Sequence, residues 1–409
     1  MRDGEVAART DRLVRGHGGS ASCGTTLGRA LSAPRSSTYT LRMPDGSRRL
    51  VLLLLLAATA CGGESRGPTI GIAVDSDGRI GAEYAAADVN ATGGIGGDSL
   101  RLRLMPTRDA TRAQMSIGIA DSLAADASVV AVVGHSNSAA SLAASQIYNE
   151  RRLPHIAPNT TAPLFSAAGP YSFRLVPDDR RQAAFMAAEV ARAGARRVAI
   201  AFVNDDYGRG LQGALRTDLA RRGTAVVYET PYLERGDSGR VATVARAMAA
   251  ARPDLLLWLG RPDQLDLMRR ALAPLLPSLP VLASDGLDVS RVYAQRDRYQ
   301  SVRFVRFVDP EGPGEALAAF RTRFRAGTRR EPTTDAVLSY DATMLLAAAL
   351  RDGARTREEV RAWLAGVGTT RPAYQGISGP IAFDSAGDVV RPHRLAEVHA
   401  DGVRAVSVP

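Results

Sequence analysis

Short apolar runs alternate with longer stretches of helical periodicity along most of the chain. Runs such as residues 129–133 and 197–203 are rich in valine and isoleucine and too short to be buried helices, so they predict buried strands. Between them, apolar residues recur every three or four positions, for example at Ala139, Leu142 and Ala143, which is typical of an amphipathic helix. The alternation predicts an α/β protein built on parallel sheets.

Two successive series of such units are present, and the length of 409 residues also favours two domains. Strands are predicted at residues 69–74, 100–105, 129–133, 153–157, 197–203, 225–230, 254–259, 280–284 and 303–308, with a β-rich tail at 379–383 and 394–399. Helices are predicted at residues 79–90, 115–125, 139–147, 180–193, 208–222, 238–251, 263–273, 315–326 and 334–351.

Polar loops follow two consecutive strands of the first series, at residues 134–138 and 158–161. Neighbouring parallel strands end at the same edge of a sheet, where open α/β folds bind ligands, and a helix N-terminus there offers unpaired amides. Either loop alone is explained by an ordinary helix cap or turn, but the two together favour a cradle for a carboxylate or other small anion. Its candidate residues are Asn137, Ser138, Asn159, Thr160 and Thr161.

The order and spacing of several short segments resemble the leucine/isoleucine/valine-binding proteins, which are type I periplasmic solute-binding proteins of ABC importers. The matching segments are residues 133–135, Ser138, Ile147-Tyr148, 156–158, 161–163, Phe173-Arg174 and 339–350, and the resemblance covers roughly residues 69–400. It implies two doubly wound parallel-sheet lobes joined by three crossings, near residues 174–177, 305–309 and 366–378. Lobe 1 would comprise residues 69–174 and 309–366, and lobe 2 residues 175–308 and 367–409.

The resemblance also implies roles for individual residues. Ser138 and the threonine loop would hold the α-carboxylate of an amino acid, and Tyr207 would cover the ligand from the second lobe. Asp285, followed by Gly286, would pair with the ligand's ammonium group. Locally, Tyr207 could instead be a packing residue, but the ligand role is favoured. For Asp285 the local sequence favours an ordinary turn as much as a ligand contact.

Two departures from the family pattern concern the pocket for the ligand's side chain. The loop Asp75-Ser76-Asp77-Gly78 is short and contains no apolar residue, whereas family members often place an aromatic there. Arg261 follows a strand where the family often has aromatics, and it either faces solvent or meets a polar ligand group because an unpaired buried guanidinium is costly. We therefore expect a more open and polar pocket that does not prefer branched-chain amino acids.

The formal net charge of +10 does not indicate a nucleic-acid partner. Residues 1–60 hold nine arginines against four acidic residues, and the remaining arginines are scattered singly and in pairs on predicted helix exteriors. Cys23 and Cys61 are the only cysteines, so a mature chain beginning at Cys61 has no internal disulfide.

A secretory signal is predicted at residues 43–60, where Arg48-Arg49 precede an apolar run and a small-residue site before Cys61. Cysteine in this position resembles a bacterial lipobox, which implies lipidation of Cys61 and attachment to an extracytoplasmic membrane surface. Residues 61–68 would be a tether, and residues 1–42 are either disordered or a mis-assigned start.

The resemblance predicts a binding protein that delivers a small solute to the permease subunits of an ABC importer, without cofactor or metal. A ligand-sensing domain of the same fold is the alternative. An enzymatic alternative is a serine hydrolase, because Ser136, Asp285 and His393 follow the order of an α/β-hydrolase triad. It is disfavoured because Ser138 stands where the motif requires glycine.

A calcium site is also disfavoured. The segment Asp75-Ser76-Asp77-Gly78 begins like a calcium-binding loop but lacks the later ligands of such a loop.

Overall fold

The computed structural model describes residues 67–106, 108, 112–232 and 238–406. The predicted extension at 1–42, the signal at 43–60 and the lipidation site Cys61 lie outside these residues, as does most of the tether. Within the described part, no helix has both the length and the apolarity that crossing a bilayer requires.

The strands are β1 (Thr69–Ala73), β2 (Arg101–Leu104), β3 (Val129–Gly134), β4 (His155–Ala157), β5 (Ser172–Arg174), β6 (Arg197–Val203), β7 (Ala225–Tyr232), β8 (Leu255–Leu259), β9 (Val281–Ala283), β10 (Val302–Arg306), β11 (Tyr374–Gly376), β12 (Gly379–Ile381), β13 (Arg394–Val398) and β14 (Val403–Val406).

The helices are α1 (Ser76–Ala91), α2 (Ala113–Ala125), α3 (Ser138–Glu150), α4 (Asp179–Arg192), α5 (Asp206–Arg221), α6 (Ser238–Ala250), α7 (Pro262–Leu272), α8 (Ser290–Ala294), α9 (Arg296–Tyr299), α10 (Glu315–Thr328), α11 (Thr334–Arg351) and α12 (Arg357–Gly366).

Two separate sheets confirm the predicted two-lobed α/β fold. The first has the order β2-β1-β3-β4-β5 and is parallel throughout. The second has the order β14-β13-β10-β9-β8-β6-β7, in which the tail strands β13 and β14 add antiparallel to an otherwise parallel sheet. In both parallel cores the first strand of the series lies beside the third, so each sheet has a topological switch point at which ligands typically bind.

Several elements differ from those predicted. Helix α1 begins at Ser76 rather than at residue 79, because the Asp75 side chain accepts a hydrogen bond from the Gly78 amide and caps the helix. Residues 75–78 are thus a helix start rather than a loop. The pattern also missed the short helices α8 and α9, the strand β14 and helix α12, whose Thr356 and Glu359 form a reciprocal capping box.

Residues 374–388 pack with the first sheet and with helix α11. Asp341 of α11 accepts hydrogen bonds from the amides of Ile377 and Ser378, and the Arg174 amide of β5 donates to the Gly387 carbonyl. These contacts favour a third crossing between the lobes after residue 388, later in the chain than the proposed segment 366–378.

Helices α1 and α11 approach closely because glycine occupies the contact. A Cβ atom on Gly81 would lie 2.0 Å from the Ala336 carbonyl oxygen, whereas one on Gly118 of α2 would meet nothing within 4 Å. We expect Gly81→Ala to lower the free energy of unfolding by about 1–3 kcal/mol through overpacking. Gly118→Ala should raise it slightly, since alanine is the better helix former. Thermal unfolding of both variants checks this, and a Gly81→Ala midpoint at or above wild type would contradict it.

Candidate functional site

A cleft of about 650 Å³ lies at the carboxyl ends of strands from both sheets. Its volume is in the ordinary range for small-molecule sites, about 300–1,000 Å³. Loops after β1, β3 and β4 form one side, and loops after β6, β8 and β9 form the other. Eight of the nine predicted ligand-binding residues line it: Asn137, Ser138, Asn159, Thr161, Tyr207, Arg261, Asp285 and Gly286.

The first-lobe side of the cleft is built on the N-terminus of α3. Asn137 is the cap residue, and its side chain accepts a hydrogen bond from the Ala140 amide at 3.0 Å. The Ser138 hydroxyl accepts hydrogen bonds from the Thr161 and Ala162 amides at 3.3 and 3.1 Å, which ties the two polar loops together. The first amides of a helix have no intrahelical partner and carry partial positive charge, so this wall suits an anion.

Thr160 is the predicted residue that does not line the cleft. Its side chain is fully buried behind the wall, where the hydroxyl lies 2.6 Å from Ser141 Oγ and 3.4 Å from the His135 carbonyl oxygen. Thr161 lines the cleft, whereas Thr160 supports the loop from behind.

Asp285 is the centre of the second-lobe side. Its Oδ1 accepts hydrogen bonds from the Tyr207 hydroxyl at 2.5 Å and from Gln182 Nε2 at 2.9 Å, and its own amide donates to Gln182 Oε1. No described residue donates a hydrogen bond to its second oxygen, Oδ2. Asp285 is therefore held in place through one oxygen, while the other is left available to a ligand.

Burial raises the pKa of two neighbouring carboxyls on this side. Desolvation raises the pKa of Asp285, against the opposing effect of the hydrogen bonds from Tyr207 and Gln182. Desolvation together with the negative charge of Asp285 raises the pKa of Asp179 well above its ordinary value. A cationic group placed in the cleft would stabilise the ionised form of Asp285 and so be bound preferentially.

Arg261 borders the cleft and is paired within its own lobe. It is the cap residue of α7, its side chain is 28% exposed, and its Nη2 lies 3.6 Å from Asp205 Oδ2. The guanidinium is thus neither fully in solvent nor buried without a partner.

Four carboxylates of the cleft were not identified from sequence as ligand contacts: Asp75, Asp263, Asp288 and Asp335. Asp75 comes two residues after the end of β1, and this position in the sequence could have predicted that it lies at the ligand-binding edge of the sheet. Asp335 comes from the N-terminus of α11, and no local pattern indicates that this helix end lies beside β1. Burial and the negative charge of Asp75 raise the pKa of Asp335 well above its ordinary value.

The lobes touch directly beside the cleft. The Thr334 hydroxyl of the first lobe donates to Asp288 of the second, and the Asp179 amide donates to the Thr161 carbonyl at 2.8 Å. These contacts couple the relative position of the lobes to the geometry of the cleft.

The alternative of a hydrolase triad is wrong. The Ser136 hydroxyl donates to Asp335 Oδ2 at 2.8 Å and accepts from the Asp75 amide, so its partner is a carboxylate rather than an imidazole. His393 packs between Phe185 and Phe307, where burial lowers its pKa to about 4. Among the described residues, no cluster of three or more histidine, cysteine or acidic side chains could hold a metal ion.

The chain resembles binding proteins of known sequence and structure. It is 28% identical over 316 residues to an amino acid binding protein of Pseudomonas aeruginosa, covering 76% of this chain and 81% of that one. Its fold matches an ABC transporter substrate-binding protein of Desulfitobacterium hafniense in complex with leucine, with a TM-score of 0.72, 24% identity and coverage of 83% and 100%.

A branched-chain amino acid transporter substrate-binding protein of Streptococcus pneumoniae, in complex with isoleucine, matches with a TM-score of 0.75, 21% identity and coverage of 83% and 99%. All three proteins are binding proteins rather than enzymes. The family model described as periplasmic binding protein matches residues 66–403. Because this match spans most of the sequence, the chain belongs to the periplasmic binding protein family.

Proposed function

We propose that this protein captures an amino acid or a similar small zwitterionic solute in the cleft between its lobes and delivers it to an ABC importer. The proposal includes an extracytoplasmic location and a lipid anchor on Cys61. The observation that carries the binding role is the pairing of opposite chemistries across one cleft. The helix N-terminus with Ser138 and Thr161 offers hydrogen-bond donors on one side, and Asp285 offers a carboxylate oxygen on the other.

An amino acid fits this arrangement because its carboxylate and ammonium groups need partners of opposite sign. The ligand's carboxylate would take hydrogen bonds from the first turn of α3 and from Thr161, with Asn137 and Asn159 beside it. Its ammonium would donate to Asp285 Oδ2, and the Tyr207 ring would cover it. The names of the relatives support the same class of solute, since they are amino acid and branched-chain amino acid binding proteins.

Binding should close the two lobes without any chemical turnover. A ligand held by both lobes gains its full set of contacts only when they meet, so it stabilises the closed state. Small-angle X-ray scattering of the full-length chain should give a smaller radius of gyration after addition of an amino acid that the protein binds. Mass spectrometry of small molecules co-purified from cells should identify the natural solute. Esterase activity that disappears in Ser136→Ala would contradict the proposal.

The anchor gives a separate prediction. Cys61→Ser should move the protein from the membrane fraction to the soluble fraction of a host that processes lipoproteins, because the thiol that would carry lipid is gone. Cys23→Ser, which lies upstream of the predicted signal, is the matched control and should leave the distribution unchanged. A soluble wild-type chain whose N-terminus lies upstream of Met43 would overturn the anchor while leaving the binding role intact.

A further inference from the structure

Three charged groups that line the cleft are paired with an oppositely charged side chain within the protein, and Arg261 with Asp205 is the first of them. Asp288 lies 3.7 Å from Arg306, and Asp263 pairs with Arg291. Among the described residues Asp285 has no ion-pair partner, but the proposed function assigns it to the ligand's ammonium. The carboxylates that remain to be explained are Asp75 and Asp335, both on the first-lobe side.

Asp75 and Asp335 meet because two helices begin at the same place. Asp75 caps α1 through its Oδ1, and Asp335 lies in the first turn of α11, whose cap is Thr333. Asp335 is therefore not needed as a helix cap. Ser136 joins the two, since its hydroxyl accepts from the Asp75 amide at 2.9 Å and donates to Asp335 Oδ2 at 2.8 Å.

No described arginine lies within ion-pair distance of Asp75 or Asp335, although Arg108 and Arg112 line the same cleft. Asp335 is 3% exposed, and its Oδ1 is buried without a hydrogen bond from any described donor. Arg330, which lies on the same side, is engaged at 2.9 Å by Asp77. Two ionised carboxylates placed next to each other in a buried position repel one another. Burial, the negative charge of Asp75 and a hydrogen bond with the Asp75 side chain accordingly raise the pKa of Asp335. A ligand that brings a positive charge would stabilise the ionised form of the pair.

The position of the pair relative to the anion cradle fits an amino acid's side chain. Ser136 stands two residues before Ser138 in the loop after β3, so the carboxylate pair adjoins the proposed site for the ligand's α-carboxylate. Asp285 lies across the cleft on the second lobe. A solute held at its α-carboxylate and α-ammonium would thus direct its side chain along a wall that carries Asp75 and Asp335.

We propose that Asp75, Asp335 and the Ser136 hydroxyl form a subsite for a cationic side chain, and that the preferred solute is an α-amino acid ending in an ammonium or guanidinium group. The inference rests on the proposed function and specifies its solute. The solute proposed here differs from the leucine and isoleucine of the matched structures. An aliphatic side chain would leave both carboxylates desolvated and without a cationic partner.

Calorimetric titration of the full-length chain with L-lysine and L-norleucine tests the subsite. The two amino acids have the same straight side chain and differ only by the terminal ammonium group. Lysine should bind at least about tenfold more tightly than norleucine or leucine, L-arginine should also bind, and L-glutamate should not. Leucine or norleucine binding as tightly as lysine would overturn the proposal, as would a preference for glutamate.

Substitutions test which residues cause the preference for lysine over norleucine. Asp335→Asn and Asp75→Asn should each reduce the ratio of lysine to norleucine affinity by about tenfold and leave norleucine affinity nearly unchanged. Asp121→Asn, on the exposed face of α2, removes the same charge away from the cleft and should preserve the ratio. If Asp335→Asn does not fold, Asp75→Asn and the wild-type comparison of the two amino acids still decide. An equal loss for both amino acids would contradict a side-chain subsite.

The experiments distinguish an error in the cationic subsite from an error in the proposed binding of amino acids. If norleucine and leucine bind, and Asp285→Asn weakens them while lysine has no advantage, the side-chain assignment alone is wrong. If no amino acid of the panel binds the wild-type chain and no zwitterionic solute co-purifies with it, both the subsite and the proposed function are wrong.

Discussion

Replacing Asp285 with asparagine should weaken amino acid binding by at least tenfold. The substitution keeps the shape of the side chain and allows an amide oxygen to accept from Tyr207 and Gln182, but it removes the negative charge proposed to meet the ligand's ammonium. Removing one partner of a buried, hydrogen-bonded charge pair typically costs about 2–5 kcal/mol of binding free energy. Calorimetry with the tightest-binding amino acid of the panel measures the loss.

Asp254→Asn is the matched control for this experiment. Asp254 precedes β8 at the opposite end of the second sheet, where it accepts hydrogen bonds from the Arg196 and Arg197 amides. The same change of charge in the same lobe should leave affinity within about twofold, because charges in solvent are screened over such distances. Equal effects of the two substitutions would remove Asp285 from the site.

Replacing Arg306 with methionine should strongly destabilise the second lobe. Arg306 and Asp288 are both about 2% exposed and lie 3.7 Å apart. The Tyr293 hydroxyl connects them by accepting from Arg306 at 2.7 Å and donating to Asp288 at 2.6 Å. Leaving a buried carboxylate without its partner typically costs about 3–5 kcal/mol, which a shift of the thermal or urea midpoint would reveal.

The double variant separates an ion pair from simple loss of packing. Arg306→Met combined with Asp288→Asn should be more stable than Arg306→Met alone, because no buried charge is then left unpaired. Arg404→Met, which breaks an exposed pair with Asp401, should cost less than about 1 kcal/mol. A double variant as unstable as the sum of the two single ones would show that the charges do not interact.

The polar loops of the cleft were predictable because their signals are local. Strand β6 matches the predicted residues 197–203 and helix α11 the predicted residues 334–351, since apolar periodicity records which face of an element is buried. A polar loop that follows a parallel strand is placed at the ligand-binding edge by the topology itself. Ser138, Thr161 and Asp285 all line the cleft for this reason.

Local signals also failed in identifiable ways. Asp75-Ser76-Asp77-Gly78 was predicted to be a loop, but the Asp75 cap makes these residues the start of α1. Thr160 and Thr161 are identical in type, and only the direction of the chain at the end of β4 decides which of them reaches the cleft. The order of Ser136, Asp285 and His393 suggested a triad, yet order along the chain does not bring side chains into contact.

The sequence by itself determined the α/β class, the two series of strands and helices, and the polar loops at strand ends, because each of these depends on residues within a few positions of one another. Only the tertiary structure brought Asp335 beside Asp75 and Ser136, joined Gln182 to Asp285, and set Thr334 against Asp288. The hydrogen-bonded partners among them lie 46 to 199 residues apart along the chain. Their proximity follows from how helices α4 and α11 pack against the sheets, and periodicity along the chain carries no record of which helix end meets which strand end.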